Sequence, residues 1–171
     1  MGARDDIDLL TTSCDLLLPL IDEKEHQAIE ALSESGSTVA VNSLRALRVQ
    51  RTVISVGMFS AYEAVLQDEF GFGDYAFQDL EKLLMKLGRK DVVEVFVNYK
   101  LAINVLKHGK GKSYDQLLSR HSMLDFDVRG DGSDFDEEGD VTDGQFLVRV
   151  DSHFVRRCAE VIEQSLEVAR D

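Results

Sequence analysis

From Val39 to Phe70 the chain runs without a proline, while Leu44, Leu47, Ile54, Met58, Tyr62 and Val65 recur at three- and four-residue spacing. That period gathers them on one side of a long α-helix. Such a helix needs partners over its apolar stripe, which points to a helical bundle. An upstream helix is expected from about Asp5 to Ser35, with Leu9, Leu10, Leu16, Leu17, Ile21, Ile29 and Leu32 on its apolar face and a kink or break at Pro19. Ser35-Gly36-Ser37 reads as a turn, with Ser37 capping the long helix. A short helix from about Phe77 to Leu87 stops at Gly88, and another from about Asp91 to His108 carries Val92, Phe96, Tyr99, Ile103 and Leu106 on one stripe. A shorter helix spans about Tyr114 to Arg120, and the last runs from about Ser152 to Ala169. The expected fold class is all-α, a four-to-five-helix bundle in one domain over residues 1–171. One short strand is expected near Phe146, Val148 and Val150.

Charge limits the partners. Residues 1–120 hold 18 acids against 14 bases and residues 121–171 hold 14 against 5, so most of the net charge of -13 is C-terminal. Such a field repels a nucleic-acid backbone over most of the surface and favours basic partners, although a local basic patch can still hold RNA. Residues 122–145, with nine acids and one base (Arg129), read as an acidic, mobile loop. Cys14 and Cys158 lack metal-ligand spacing and read as packed, reduced thiols; a bridge between the terminal helices is the other reading. No apolar run is long enough for a membrane span, no signal peptide is recognisable, and Asp6 stands where a myristoylation start needs serine or threonine. A cytoplasmic protein is expected.

Two motifs come close and fail. Gly111-Lys112-Ser113 ends like a phosphate-binding loop, but Leu106 stands where its first glycine belongs and the run closes a helix, so no nucleotide cofactor is expected. Asp127, Asp131, Gly132 and Glu138 fall at calcium-loop positions, but Arg129 occupies a ligand position, so no metal is expected. Arg45, Arg48 and Arg51 recur every three residues and would join Lys100, Lys107, Lys110 and Lys112 in one basic patch if their helices were adjacent; pairing with carboxylates is the plainer reading.

The better signal is the end of the Asp91–His108 helix. Lys100, Asn104 and His108 are spaced i, i+4, i+8 and share one face, with Lys107 beside them. A histidine there can move a proton near neutral pH, an asparagine can orient a phosphate or water, and a lysine can offset developing negative charge. Those are the parts of metal-free RNA cleavage. The structural reading is that His108 merely ends the helix, where the dipole favours a cation.

The stretch AINVLKHGKGKSYDQL resembles the signature helix and following loop of HEPN domains, all-α bundles of bacterial toxin and defence ribonucleases, and FSAYEAVLQDEF resembles their long second helix. The resemblance implies a catalytic pattern of arginine, polar residue, three variable residues and histidine. Asn104 and His108 match it, and Ile103 stands in the arginine position. Isoleucine cannot pair with a scissile phosphate, and Lys100 is the only nearby substitute, without the bidentate fork. The resemblance also implies a homodimer with motif helices facing each other. The expected function is therefore a degenerate, weakly active or inactive ribonuclease relative serving as a dimeric protein/RNA-association module. An active metal-independent endoribonuclease and an acidic, antitoxin-like inhibitor of a basic partner are the rival readings.

Overall fold

The computed structural model describes residues 3–130 and 146–171, with side chains from Ile7 onward. The described residues form six α-helices: α1 (Ala3–Ser35), α2 (Thr38–Phe70), α3 (Ala76–Lys86), α4 (Lys90–His108), α5 (Lys112–Ser119) and α6 (Ser152–Arg170). A single 3-10 turn, His121–Met123, follows α5. Each of the six expected helical segments is a helix, four long and two short (α3 and α5), so the number exceeds the four to five given for the bundle as a whole. None of the helices is long and apolar enough to cross a membrane.

Local chemistry sets the ends. Ser37 accepts a hydrogen bond from the Val39 N–H at 3.2 Å, capping α2 as its sequence suggests. Gly71, at φ 67°, closes α2 in the left-handed region, where a side chain is strained. Pro19 neither ends nor interrupts α1: it is exposed, and buried Leu18 and Ile21 on either side anchor the helix. The missing backbone bond of Pro19 thus falls toward water instead of the core.

The buried face of α1 is Ile7, Cys14, Leu18, Ile21 and Ala28, not the expected one. Of the expected residues only Ile21 is fully buried, whereas Leu9, Leu16, Leu17 and Ile29 are exposed. This helix is apolar on two sides, and period alone cannot say which one meets the core.

Helices α2, α4 and α6 pack on one another, α1 covers α2 and α6, and α3 closes the side. Phe59, Tyr62, Phe77 and Phe96 interlock with ring centroids 5.6 to 6.4 Å apart. Cys14 and Cys158 are buried free thiols, and Cys14 donates to the Met58 sulfur at 3.4 Å. Burial pushes both thiols above their ordinary range.

The start of the expected acidic loop is ordered. Phe126 packs edge-on against Tyr99 and Phe154, Val128 is buried, and the Tyr99 hydroxyl donates to Asp125 at 3.0 Å. The apolar Phe126 and Val128 outweigh the local charge. Val128 pairs with Val148 in one antiparallel bridge, flanked by bonds from Arg129 N–H to Leu147 and from Arg149 N–H to Asp127. This bridge replaces the expected strand among the described residues. Asp131, Gly132 and Glu138 of the calcium-like pattern lie outside the described residues. Within them no three His, Cys, Asp or Glu side chains converge as a metal site would require.

Candidate functional site at the end of α4

Helix α4 is buried on most of its circumference, with Phe96, Tyr99, Ala102, Ile103 and Val105 all in the core. Its polar residues are confined to what remains. Lys100, Asn104 and Lys107 line a cleft with Ile103, together with Phe59, Ser60 and Glu63 of α2 and Phe77 of α3. The cleft encloses about 20 Å³, room for a single water and far too little for a nucleotide. Any phosphate must therefore contact its rim.

Lys100 already has a partner. Its ammonium forms an ion pair with Glu81 of α3, and both side chains are largely covered. Glu81 and Glu63 escape a reading of the sequence because they come from other helices, and only the packing of α3 and α2 on α4 brings them to this face. A phosphate seeking Lys100 has to compete with the Glu81 carboxylate.

His108 is the last residue of α4 and is exposed. It does not line the cleft. Two helical turns separate it from Lys100, about 12 Å along the axis, so the two groups do not converge on one atom. Gly109 follows at φ 75°, its N–H donating to Val105 at 2.7 Å, the arrangement of a helix stop. Ile103, in the position the family pattern gives to arginine, is 4 % exposed and packed in the core.

Beyond His108, Lys107, Lys110 and Lys112 are exposed around the α4–α5 junction, with Lys110 positioned 5.6 Å from the Tyr114 ring. Gly109 closes α4, and the Gly111-Lys112-Ser113 run instead opens α5, with Gly111 preceding its first residue, correcting the expectation that the run closes a helix. It follows no strand, so the phosphate-loop context is still missing.

The three arginines are elsewhere. Arg51 is 2 % exposed and turned inward: it donates to Glu25 at 2.8 and 2.7 Å, to Asp22 at 2.7 Å and to Ser152 at 3.1 Å. This removes it from the residues a phosphate backbone can reach. Arg48 is half-buried with its guanidinium 5.6 Å from the Phe146 ring centroid, and Arg45 is exposed. Helices α2 and α4 do pack together, but the α4 cleft meets α2 at Phe59, Ser60 and Glu63, about 12 Å along the helix from Arg51. The single patch that adjacent helices would have allowed does not form, and Arg51 follows the plainer reading, paired with carboxylates.

No family model, no curated protein and no solved structure matches this chain.

Proposed function

We propose that the chain is a HEPN-like helical module that associates with RNA through the basic end of α4, acts as a dimer, and cleaves RNA weakly or not at all. One observation carries the reading: Ile103, where the pattern needs a phosphate-binding arginine, is buried in the core beside a cleft too small for a nucleotide. The neighbouring charges support binding in preference to catalysis. Lys107 and Lys112 are exposed on either side of the α4–α5 junction, whereas Lys100 is engaged by Glu81 and His108 stands two turns away.

Fluorescence anisotropy with a labelled single-stranded RNA tests the binding half. Replacing Lys107, Lys110 and Lys112 by alanine should weaken binding at least tenfold, and should flatten the log affinity against log salt slope by about 2 if three phosphate contacts are lost. Glu substitutions at Asp68 and Asp74, away from that end, should leave both unchanged. An unaltered slope in the triple variant would place the RNA elsewhere.

A further inference from the structure

The outer face of the α1–α2 hairpin carries a pattern the rest of the molecule does not use. On α1, Leu9, Ser13, Leu16, Leu20 and Glu23 are exposed at alternating steps of four and three residues, and on α2, Ala46, Gln50, Val53, Gly57, Ser60 and Ala64 repeat those steps. This alternation is the seam spacing of packed helix pairs. Leu16 is 69 %, Leu20 60 % and Val53 64 % exposed. Between the rows run two joined hollows of about 390 and 430 Å³ that share Lys24 and Leu47. From Leu9 to Ala31 on α1 and from Val39 to Ala64 on α2 the face is about 38 Å long and two helices wide, on the order of 700 Å², close to the roughly 800 Å² per partner of a stable interface.

We propose that this face joins two copies of the chain, with α1 of each lying along α2 of the other. The complementarity is internal. Cys14 is level with Met58, and Asp22 and Glu25 with Arg51, which fixes the register of the antiparallel hairpin. A two-fold axis along the hairpin then sets Leu16 of one copy against Gly57 of the other, and Leu20 against the exposed Val53. Gly57 is a mid-helix glycine whose added Cβ would meet nothing within 4 Å, so the fold of the single chain gives no reason for it. Close approach of a second helix does, offsetting the weakness of glycine in a helix interior. At the same register Arg45 of one copy falls between Glu23 and Glu30 of the other, twice by symmetry. The α4 ends are less suited to meet directly, because Lys107, Lys110 and Lys112 would face their own copies. The proposal rests on the dimer of the functional reading but places the contact on α1 and α2 instead of the facing motif helices that the resemblance implies, and its test involves no RNA.

Sedimentation or light scattering on the full chain is the experiment. The wild-type protein should have twice the 19.2 kDa chain mass. Leu16→Glu with Leu20→Glu should weaken association about a hundredfold or more with the helical circular dichroism retained. Gly57→Leu should dissociate the dimer too, without loss of helicity, since the single chain has space for the side chain. Arg45→Glu should weaken association, and combining it with Glu23→Arg should restore part of it. A wild-type protein that stays a single chain at every concentration, or a dimer indifferent to the leucine and glycine changes, would overturn the proposal. If RNA binding fails while these results hold, only the functional reading falls.

Discussion

Replacing Arg51 by alanine is expected to destabilise the fold by about 3 kcal/mol and lower Tm by roughly 10 °C. Arg51 ties three helices at one point: its guanidinium spans Asp22 and Glu25 of α1 from α2, and its Nε donates to Ser152 at the start of α6. Ser152 in turn donates to Asp22, and Arg156 approaches the same carboxylate at 3.8 Å. Removing the guanidinium leaves a cavity along its buried stem and takes away the donor to Ser152, which keeps its own bond to Asp22. Asp22 and Glu25, with side chains 41 % and 36 % exposed, can take water in its place, which keeps the cost near the lower end for a broken buried pair. Lysine should recover little, because one ammonium cannot span two carboxylates and a hydroxyl. Urea unfolding checks all three proteins.

The same cluster sets an acid limit. Burial alone would raise the Asp22 pKa, but hydrogen bonds from Ser152 and Arg51 and the charges of Arg51 and Arg156 outweigh it and hold the carboxyl below its ordinary value. Its stabilisation is therefore complete above the unfolded carboxylate pKa of about 3.9 and is lost as pH falls through the lower folded value. Arg51→Ala should flatten that acid limb of the stability profile. A variant whose stability falls with acid as steeply as the wild type would show that Asp22 does not draw on Arg51.

Ile103→Arg, which writes the family's arginine into the chain, is expected to cost about 3 kcal/mol and to create no efficient nuclease. Ile103 packs in the core beside Phe59 and Phe77, so the longer side chain has to displace its neighbours or turn into the narrow cleft. There it meets Glu63, which would compete with a phosphate for the new charge. Thermal unfolding and an RNA cleavage assay on one preparation test both halves. A stable variant that cleaves RNA would mean that position 103 can open to solvent and that the buried isoleucine is not what limits activity.

The sequence discloses helices better than faces. Ser37, Gly71 and Gly88 mark element ends because their reasons are local, a capping oxygen or a positive φ. The long stripe of α2 is legible because one side is plainly more apolar, and Leu47, Met58, Tyr62 and Val65 are indeed buried. On α1, Leu16 and Leu18 are equally apolar, and only the docking of α6 and α2 decides that Leu18 is core and Leu16 surface. Leu124, Phe126 and Val128 alternate with Asp125, Asp127 and Arg129, a strand-like signal masked by the acidic run around it, and Phe126 and Val128 find partners in Tyr99, Phe154 and Val148. At the candidate site, the shared face of Lys100, Asn104 and His108 follows from helical spacing. The engagement of Lys100 by Glu81 does not, because that carboxylate arrives from another helix.

Whether the end of α4 binds RNA without cutting it separates a binding module from a nuclease. The most direct measurement is incubation of purified wild-type protein and a His108→Ala variant with the same single-stranded RNA in the presence of a chelator, followed by separation of intact and cleaved strands. The expected result is intact RNA with both proteins, under conditions where anisotropy shows the wild type bound. Efficient, multiple-turnover cleavage by the wild type that disappears in His108→Ala would contradict weak or absent cleavage and make this helix end a working active site.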